Sequence, residues 1–406
     1  MHTNFPKHRL LFLLLVCCTS CKKLLQVDPS GEVVTGQIVF SNDSSARAAV
    51  TGLYIKMMSN PAFLFNGGMS IFTSRSSDEI TSASMSRDEQ QFANNNLTPD
   101  NEIISSNFWM HSYAVIYAAN SCLENLANSS SVSVSRRKQL MGEARFIRAF
   151  SYYYLAQLFG EVPLLTTTRL EDNIKPRRAP VTAIYQLVRE DLKQAYTDLP
   201  LEGPNTIPNK LATAAMLARL HCSLQDWQQA ETFASAVIDL GQHVPTTDLV
   251  NAFLRGSPET ILQFAPVGSH NSTAEGLRFL PVNYNYPPAY MLTDSLMAAF
   301  ETGDRRRTAW TGSISYNDRL FYFPFKYKTK TSVSAPTEFN IVFRLPELYL
   351  LRAEARLQQG KFSGAAEDIN VIRARAGLNP VTTSLSRSEL LSVCENEFRV
   401  ELFTEW

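Results

Sequence analysis

The feature that most restricts the fold of this chain is a spacing of small and aromatic residues that occurs twice, 135 positions apart. Each copy has an alanine, an aromatic residue nine positions later and a second alanine three positions after that: Ala218, Trp227 and Ala230, then Ala353, Phe362 and Ala365. Small residues let two helices pack closely while the aromatic ring fills the space beside their turn, which is typical of tetratricopeptide-type helix hairpins. The alternative is two ordinary helical hairpins whose spacing agrees by chance.

Helical periodicity covers most of the chain outside two regions. Apolar residues recur every three or four positions, and proline or glycine stands at many boundaries, so the pattern predicts helices with defined ends. The predicted helices are 44–58, 107–127, 136–159, 180–198, 210–223, 227–240, 341–359, 363–376 and 386–406. The sequence therefore predicts a mainly α protein that contains tetratricopeptide-like helix-hairpin repeats.

Two regions, about 59–106 and 244–340, lack this period. The first is rich in Asn, Ser, Gly and Asp, which predicts a loop too polar for a core element and too long for a simple connection. The second contains many Pro, Tyr and Asn residues, with short β-favouring runs at 260–264 and 319–323. We predict one helical domain over 41–406, with long irregular loop insertions at these two places and a few short strands.

Residues 1–20 have the pattern of a secretory signal. Lys7 and Arg9 precede an apolar run at 10–16, and small residues follow it. The run is far shorter than the roughly 20 residues that a membrane-spanning helix needs, and no later stretch reaches that length without charges. The sequence therefore predicts export without a spanning segment.

Ser20-Cys21 has the pattern of a lipoprotein cleavage site, where diacylglycerol alkylates the thiol before the chain is cut. Acyl chains such as palmitate, at about 0.8 kcal/mol per buried CH₂, would hold the mature protein permanently on a membrane. Cys17 and Cys18 are competing thiols, and ordinary cleavage that leaves a free cysteine is the alternative. Residues 21–40 are turn-rich, which predicts a tether between the lipid and the folded domain.

The charge balance and the cysteines exclude several kinds of partner. The chain has 38 basic and 38 acidic residues, and removal of the signal with Lys7 and Arg9 leaves two more acids than bases. Nothing in this balance favours nucleic acid or an anionic membrane face as a partner. Cys122, Cys222 and Cys394 are isolated in sequence, so we predict no disulfide framework, no metal site and no cofactor.

Secreted hydrolases are the main alternative class. Catalysis needs a positioned acid and base, an activated nucleophile or a metal cluster. The histidines of the mature chain stand alone: His111, His221, His243 and His270. Neither a GxSxG motif nor a phosphate-binding loop occurs. We therefore predict that the protein is not an enzyme. A third class, a helical-repeat scaffold lipoprotein that binds only protein partners, stays open.

Several segments resemble one known family in their order and spacing. They are LQVDPSG at 25–31, the stretch 109–120, GEARFIRA at 142–149, FGEVPL at 159–164, RLPELYLLRAEA at 344–355 and DINVIRARAGL at 368–378. On these residues the chain resembles the SusD/RagB family of outer-membrane lipoproteins of Bacteroidetes, from Cys21 to its last residue. These proteins partner TonB-dependent transporters in the uptake of glycans and other nutrients.

The resemblance implies a SusD-like fold, a TonB-dependent (SusC-like) transporter as partner and an oligosaccharide or peptide as ligand. It also implies a lipid-anchored protein at the outer membrane that faces the cell exterior. Lys22 and Lys23 stand where the family often has acidic residues linked to surface export, so a periplasmic orientation is the alternative. ENEFRVELFTEW at 395–406 resembles the start of a motif that normally continues. We therefore expect a C-terminally truncated chain whose last helix lacks partners at its C-terminal end.

Ionic and amide side chains in the family-like segments are expected to join helices rather than to bind ligand. They are Glu143, Arg145, Arg148, Arg352, Glu354, Asn120 and Asn370. Buried arginine–carboxylate pairs between helices are a common structural arrangement, and amides often bridge backbone groups. An ionic ligand site is the alternative.

Ligand contacts are expected instead from the two irregular regions. A sugar has an apolar C–H face and a rim of hydroxyl groups, so its site needs flat aromatic side chains beside planar hydrogen-bonding groups. We predict ligand contacts from Phe72, Arg75, Asp78, Asn94, Tyr284, Tyr286, Tyr290, Trp310 and Tyr316. Asp78 also lies in a Ser-Asp-Glu stretch like the family's. For each aromatic residue, packing inside the protein is the alternative.

Overall fold

The computed structural model describes residues 36–82, 85–268, 271–331 and 335–406. The signal sequence, Cys21 and the predicted tether up to residue 35 lie outside these residues. Helices dominate the described chain. Among the described helices, none has both the length and the hydropathy that crossing a lipid bilayer requires.

The first half of the chain contains α1 (Gly36–Val39), α2 (Asp43–Met58), α3 (Met69–Ser76), α4 (Arg87–Ala93), α5 (His111–Asn128), α6 (Val134–Phe159), α7 (Leu170–Asn173), α8 (Val181–Asp198), α9 (Lys210–Ser223) and α10 (Trp227–Ile238). π-Helical turns at Leu64–Gly68 and Ile103–Met110 lead directly into α3 and α5. The second half contains α11 (Ala274–Phe279), α12 (Asp294–Ala299), α13 (Arg305–Trp310), α14 (Leu345–Gln358), α15 (Phe362–Ala376) and α16 (Arg387–Leu402).

The described strands are short and pair two by two, in antiparallel fashion. The pairs are β1 (Ile80–Ser82) with β5 (Tyr290–Leu292), β2 (Val162–Pro163) with β3 (Arg178–Ala179), β4 (Thr260–Phe264) with β8 (Asn340–Arg344), and β6 (Thr311–Tyr316) with β7 (Arg319–Pro324). The prediction of a mainly α fold with a few short strands is confirmed.

Local signals place most helix ends close to their predicted positions. The Asn42 side chain accepts hydrogen bonds of 3.0 Å from the backbone N–H groups of Ser44 and Ser45 at the start of α2. Asn209 caps α9 in the same way, through the N–H of Ala212 at 2.9 Å. Such caps satisfy N–H groups that have no partner inside the helix, so they fix where the helix begins.

The predicted helix 341–359 is wrong over its first four residues. These residues belong to strand β8, which pairs with β4 and is buried along its whole length. Ile341 and Val342 are β-branched, and the period of a short apolar run does not distinguish a strand from a helix. α14 begins only at Leu345, with Pro346 in its first turn.

Both predicted helix hairpins are present, α9 with α10 and α14 with α15. The four alanines of the repeated spacing are fully buried: Ala218, Ala230, Ala353 and Ala365. Each connecting turn contains a residue with positive φ, Gln225 at 57° and Gly360 at 75°. α10 of the first hairpin packs against α14 of the second. The two copies therefore form one continuous helical stack.

α6 is the central helix of the other half of the molecule. It packs against α5 and α8, and Phe146 and Phe150 are fully buried at its centre. Glu143 is buried as well, and it accepts two hydrogen bonds of 2.7 Å from the Arg47 guanidinium and one of 2.8 Å from the Tyr54 hydroxyl. This buried ion pair joins α6 to α2.

Arg148 makes a second link from α6. Its guanidinium donates to both Asp191 oxygens on α8, at 2.7 and 2.8 Å, and to the Asn120 amide oxygen on α5, at 2.9 Å. The Asn120 amide in turn donates to a backbone carbonyl. Arg145 pairs with Asp198 at 3.1 Å. The prediction that these side chains join helices is confirmed.

The second helical stack uses the same kind of contact. The ion-pair partners of Arg352 among the described residues are Asp368, at 3.0 and 2.8 Å, and Asp239, at 2.9 Å; Glu354 is not one of them. The Asn370 amide exchanges two hydrogen bonds with the backbone of Val381, at 2.9 and 2.8 Å. Arg352 therefore stabilises the second hairpin, and Asn370 holds the loop that follows it.

The prediction that region 59–106 is too polar for the core is wrong. The region forms α3, β1 and α4, and Phe65, Phe72 and Phe92 are buried in the core. The Phe92 ring centroid lies 5.5 Å from that of Phe72 and 6.0 Å from that of Phe108. Its polar residues partly serve the interior, since the buried Asn66 amide donates to a carbonyl at the end of α2 at 2.8 Å. Composition alone therefore misjudged this segment.

Buried charges hold the last helix, α16. Three buried guanidinium groups donate to the Glu401 carboxylate: Arg306, Arg344 and Arg375. The Lys326 ammonium donates 2.8 Å hydrogen bonds to the carbonyl oxygens of Glu401 and Phe403. The expectation that this helix lacks partners at its C-terminal end is therefore wrong, because cations from the second insertion and β8 satisfy its carbonyl groups.

We expect Glu401→Gln to lower the free energy of unfolding by about 3–5 kcal/mol at pH 7, because it removes the carboxylate charge that three buried guanidinium groups share. Glu395→Gln, an exposed position on the same helix, should change it by less than about 0.5 kcal/mol. Urea unfolding of the three proteins measures both effects.

The stability difference between wild type and Glu401→Gln should also depend on pH. Burial would raise the pKa of Glu401, but the arginines Arg375, Arg344 and Arg306 hold it well below its usual value near 4.5. A carboxyl whose pKa is lowered on folding contributes stability above its unfolded pKa and loses it as the pH falls. The difference between wild type and Glu401→Gln should therefore decrease below about pH 4.5. A constant difference from pH 7 to pH 3 would contradict this account.

Candidate functional site

The two irregular regions meet in the structure. β1 pairs with β5, which places Ser82 opposite Tyr290. Beside this pair, the Thr293 hydroxyl donates a 2.6 Å hydrogen bond to the carbonyl oxygen of Asp78. The two segments that carry all the predicted ligand contacts therefore touch, although they lie about 200 residues apart in sequence.

Three tyrosines of the second insertion form what we call the tyrosine cluster: Tyr284 and Tyr286, which are exposed, and Tyr316, which is half-buried. Tyr284 is 58% exposed and Tyr286 is 60% exposed. The ring centroids of Tyr286 and Tyr316 are 6.2 Å apart, with the rings tilted by 36°. The Tyr284 ring packs 6.3 Å from the ring of Phe323. Exposed aromatic surface of this kind marks places where a ligand or partner binds.

The β6–β7 hairpin supports the tyrosine cluster. Asn317 and Asp318 form its turn with φ values of 50° and 59°, which suits the two-residue turns that fit the twist of a hairpin. Gly312 lies opposite Phe323 in this hairpin. A Cβ atom on residue 312 would lie 2.2 Å from the Phe323 ring. The missing side chain lets this ring lie across the hairpin, next to the cluster.

Phe72, Arg75 and Tyr290 lie in a buried stack instead of at the surface. The guanidinium carbon of Arg75 is 5.7 Å from the Phe72 ring centroid and 5.0 Å from that of Tyr290. A Glu89 carboxylate oxygen lies 3.3 Å from its Nη2. All three predicted ligand residues are buried, so the prediction that they contact a ligand is wrong. Their cation–aromatic stack joins α3 to β5.

Trp310 is also wrong as a ligand contact, because it is fully buried. Its indole Nε1 donates a 2.7 Å hydrogen bond to the carbonyl oxygen of Leu249. The ring packs edge to face against Phe253 at 5.7 Å, and the Lys326 ammonium lies 5.1 Å from its centroid. Burial lowers the pKa of Lys326 to about 8. The surroundings of Trp310 are therefore protein interior.

Asp78 and Asn94 are exposed. Asp78 has a φ of 58° in the turn between α3 and β1, and Asn94 ends α4. Among the described residues, no contact joins either side chain to the tyrosine cluster. Their part in ligand binding stays a prediction.

The helical body also has a cleft that the sequence did not predict. Its volume is about 860 Å³, and it lies between the end of α4, the π-helical turn before α5 and the end of α6. Trp109 and Phe159 line it, although their sequence pattern indicated only helix packing. One sequence signal for it was present. Trp109 and Met110 are adjacent large apolar residues, and adjacent positions of a helix point in different directions, so the two side chains cannot both pack on the same buried face.

Two family models match this chain. A model described as "Starch-binding associating with outer membrane" matches residues 46–221, and a model described as "SusD family" matches residues 240–406. The first match extends from α2 to α9. The second includes the tyrosine cluster, the second helix hairpin and the buried charges around α16.

Individual relatives agree with these matches. SusD-like protein P38 of Formosa agariphila is 26% identical, over 99% of this chain and 90% of that protein. The starch-binding protein SusD of Bacteroides thetaiotaomicron is 23% identical, over 64% of this chain and 62% of that protein. A solved SusD-like carbohydrate binding protein from Bacteroides fragilis has a TM-score of 0.79 at 19% identity, covering 90% of this chain and 85% of that one. That likeness shows a shared fold.

We expect Trp310→Ala to lower the free energy of unfolding by about 3–5 kcal/mol, because it leaves a large cavity in the interior. Trp310→Phe keeps most of the volume and should cost only about 1–3 kcal/mol, because the Leu249 carbonyl loses the indole donor and, among the described residues, keeps only the 3.5 Å hydrogen bond from the Ala252 N–H. Urea unfolding of both variants tests this order. An alanine variant as stable as wild type would place Trp310 at the surface and restore it as a candidate ligand contact.

Proposed function

This chain belongs to the SusD family, and we propose that it is an outer-membrane lipoprotein that binds an oligosaccharide and delivers it to a partner TonB-dependent (SusC-like) transporter. A peptide is the alternative ligand. The observation that carries the ligand proposal is the exposed tyrosine cluster. The names of two similar proteins support it, since one is a starch-binding protein and the other a carbohydrate binding protein.

The chemistry of the tyrosine cluster suits a sugar. Its rings offer flat apolar faces to the C–H groups of a pyranose, and its hydroxyls exchange hydrogen bonds with the rim of the sugar. Asn283 and Asn285 are exposed on either side of Tyr284 and add amide donors and acceptors. This arrangement favours capture of an intact ligand, because it has aromatic and amide groups but no paired acid and base.

Delivery follows from the proposed anchor. Lipid on Cys21 would confine the helical domain to the membrane that holds the transporter. Tethering of this kind raises the effective concentration of one partner near the other without any new contact. The captured ligand is then released at the pore rather than into the medium.

We expect Tyr286→Ala to weaken binding of the preferred oligosaccharide by about 3- to 10-fold, the amount that one aromatic stacking contact supplies. Tyr286→Phe should retain most of the affinity. Isothermal titration against a panel of oligosaccharides and peptides measures these values.

Tyr117→Ala is the matched control, since Tyr117 is 55% exposed on α5 and lies outside the cluster. It should bind like wild type. Equal affinity of Tyr286→Ala and wild type would remove the tyrosine cluster as the ligand site. Absence of saturable binding across the whole panel would favour the scaffold that binds only protein.

The anchor has its own test. In cells, Cys21→Ala should move the protein from the membrane fraction to the soluble fraction, whereas Cys17→Ala and Cys18→Ala should leave it on the membrane. Metabolic labelling with a fatty acid should be lost only in Cys21→Ala. Retained labelling in that variant would assign the lipid to another thiol. Protease treatment of intact cells then distinguishes the exterior from the periplasmic orientation.

A further inference from the structure

The cleft on the helical body is separate from the tyrosine cluster. Its volume of about 860 Å³ lies in the range of small-molecule sites, roughly 300–1,000 Å³. No residue between 283 and 316 lines it. Its walls are mostly apolar. One side is the segment at the end of α4, and the other is the start of α5 together with the end of α6. The apolar lining residues are Phe92, Leu97, Ile104, Phe108, Trp109 and Phe159.

Trp109 has the most defined surroundings in this cleft. Its ring meets Phe159 edge to face, with centroids 5.1 Å apart and an interplanar angle of 90°. The guanidinium carbon of Arg178 lies 5.4 Å from the Trp109 ring centroid. Arg178 also donates to the carbonyl oxygen of Glu161, and its backbone pairs with Pro163 in the β2–β3 ribbon. The cation is therefore held at the edge of the apolar wall.

The charge that lines the cleft is positive. Among the described side chains that line it, Arg178 is the only charged one, and no carboxylate is present. Arg178 is exposed, so part of its hydrogen-bonding capacity faces solvent. An anion placed against it meets no repulsion from the lining. A cationic ligand would meet an unpaired positive charge.

The mouth of the cleft exposes apolar surface. Leu97 is 46% exposed and Met110 is 65% exposed, and both line the opening. Asn95, Ser105 and Gln157 add polar groups to the lining. A ligand body that covers the two apolar side chains would remove that surface from water, which favours binding at about 25 cal/mol per Å².

We propose that this cleft binds a small amphipathic anion, with its aromatic or aliphatic body against Trp109 and its carboxylate or sulfonate on Arg178. This site is additional to the proposed oligosaccharide site and does not depend on it. Arg178 favours ligands with an acid group, and the apolar walls favour ligands with an aromatic or aliphatic body.

Two fluorescent probes separate these two contributions. Anilinonaphthalenesulfonate has a flat aromatic body with one negative charge, whereas phenylnaphthylamine has the same rings without charge. Wild type should bind the sulfonate saturably with one site per chain. Arg178→Gln should weaken the sulfonate about tenfold, the effect of one charge-assisted contact, and change the neutral probe less than twofold. Leu97→Glu, at an exposed position, should weaken the sulfonate by repulsion.

The neighbouring Arg177→Gln is the control, because Arg177 is equally exposed but does not line the cleft. It should bind both probes like wild type. Tyr286→Ala should leave sulfonate binding unchanged, and Arg178→Gln should leave oligosaccharide binding unchanged, so the two sites fail independently. Unsaturable binding, or equal sulfonate affinity in wild type, Arg178→Gln and Leu97→Glu, would overturn the proposal.

Discussion

The Glu401 carboxylate is the group on which the second half of the fold depends. Arg306 reaches it from α13, Arg344 from the end of β8 and Arg375 from α15, so one side chain joins three elements to α16. Moving such charges out of water costs several kcal/mol per ion, and only complete pairing and hydrogen bonding offset that cost. The cluster therefore acts as one mutually dependent unit. Without Glu401, each of the three guanidinium groups would keep another carboxylate partner but lose the charge that all three share.

This buried cluster determines where the tyrosine cluster sits. α13 carries Arg306, ends at Trp310 and passes directly into β6, so the ion pairs and the indole hydrogen bond fix the start of the hairpin. Tyr316 lies at the other end of β6. A rigid support matters for binding, because an aromatic surface that is already ordered loses little conformational entropy when a ligand arrives. Buried residues thus order the surface that we propose as the ligand site.

The helical half was predictable because its signals are local. Pro180, Asn209 and Gly377 mark helix ends through their own backbone or side-chain chemistry, which needs no distant partner. Whether a side chain is exposed to solvent, in contrast, does not depend on the local sequence alone. Trp310 and Tyr286 occur in similar polar, aromatic sequence, yet Trp310 is interior because its indole finds the carbonyl of a residue 61 positions earlier. The local sequence therefore does not separate candidate ligand residues that face solvent from those that pack inside, because long-range packing decides it.

The two surfaces that we propose for binding lie in different halves of the chain. The cleft takes its walls from α4, α5, α6 and the β2–β3 ribbon, all in the first half of the chain. The tyrosine cluster belongs to the second insertion, which the Glu401 cluster holds. The helix-joining pairs of the first half, such as Glu143 with Arg47, lie between helices and not in either surface. Substitutions in the β6–β7 hairpin should therefore leave the packing of the cleft unchanged, since no residue of the hairpin lines it.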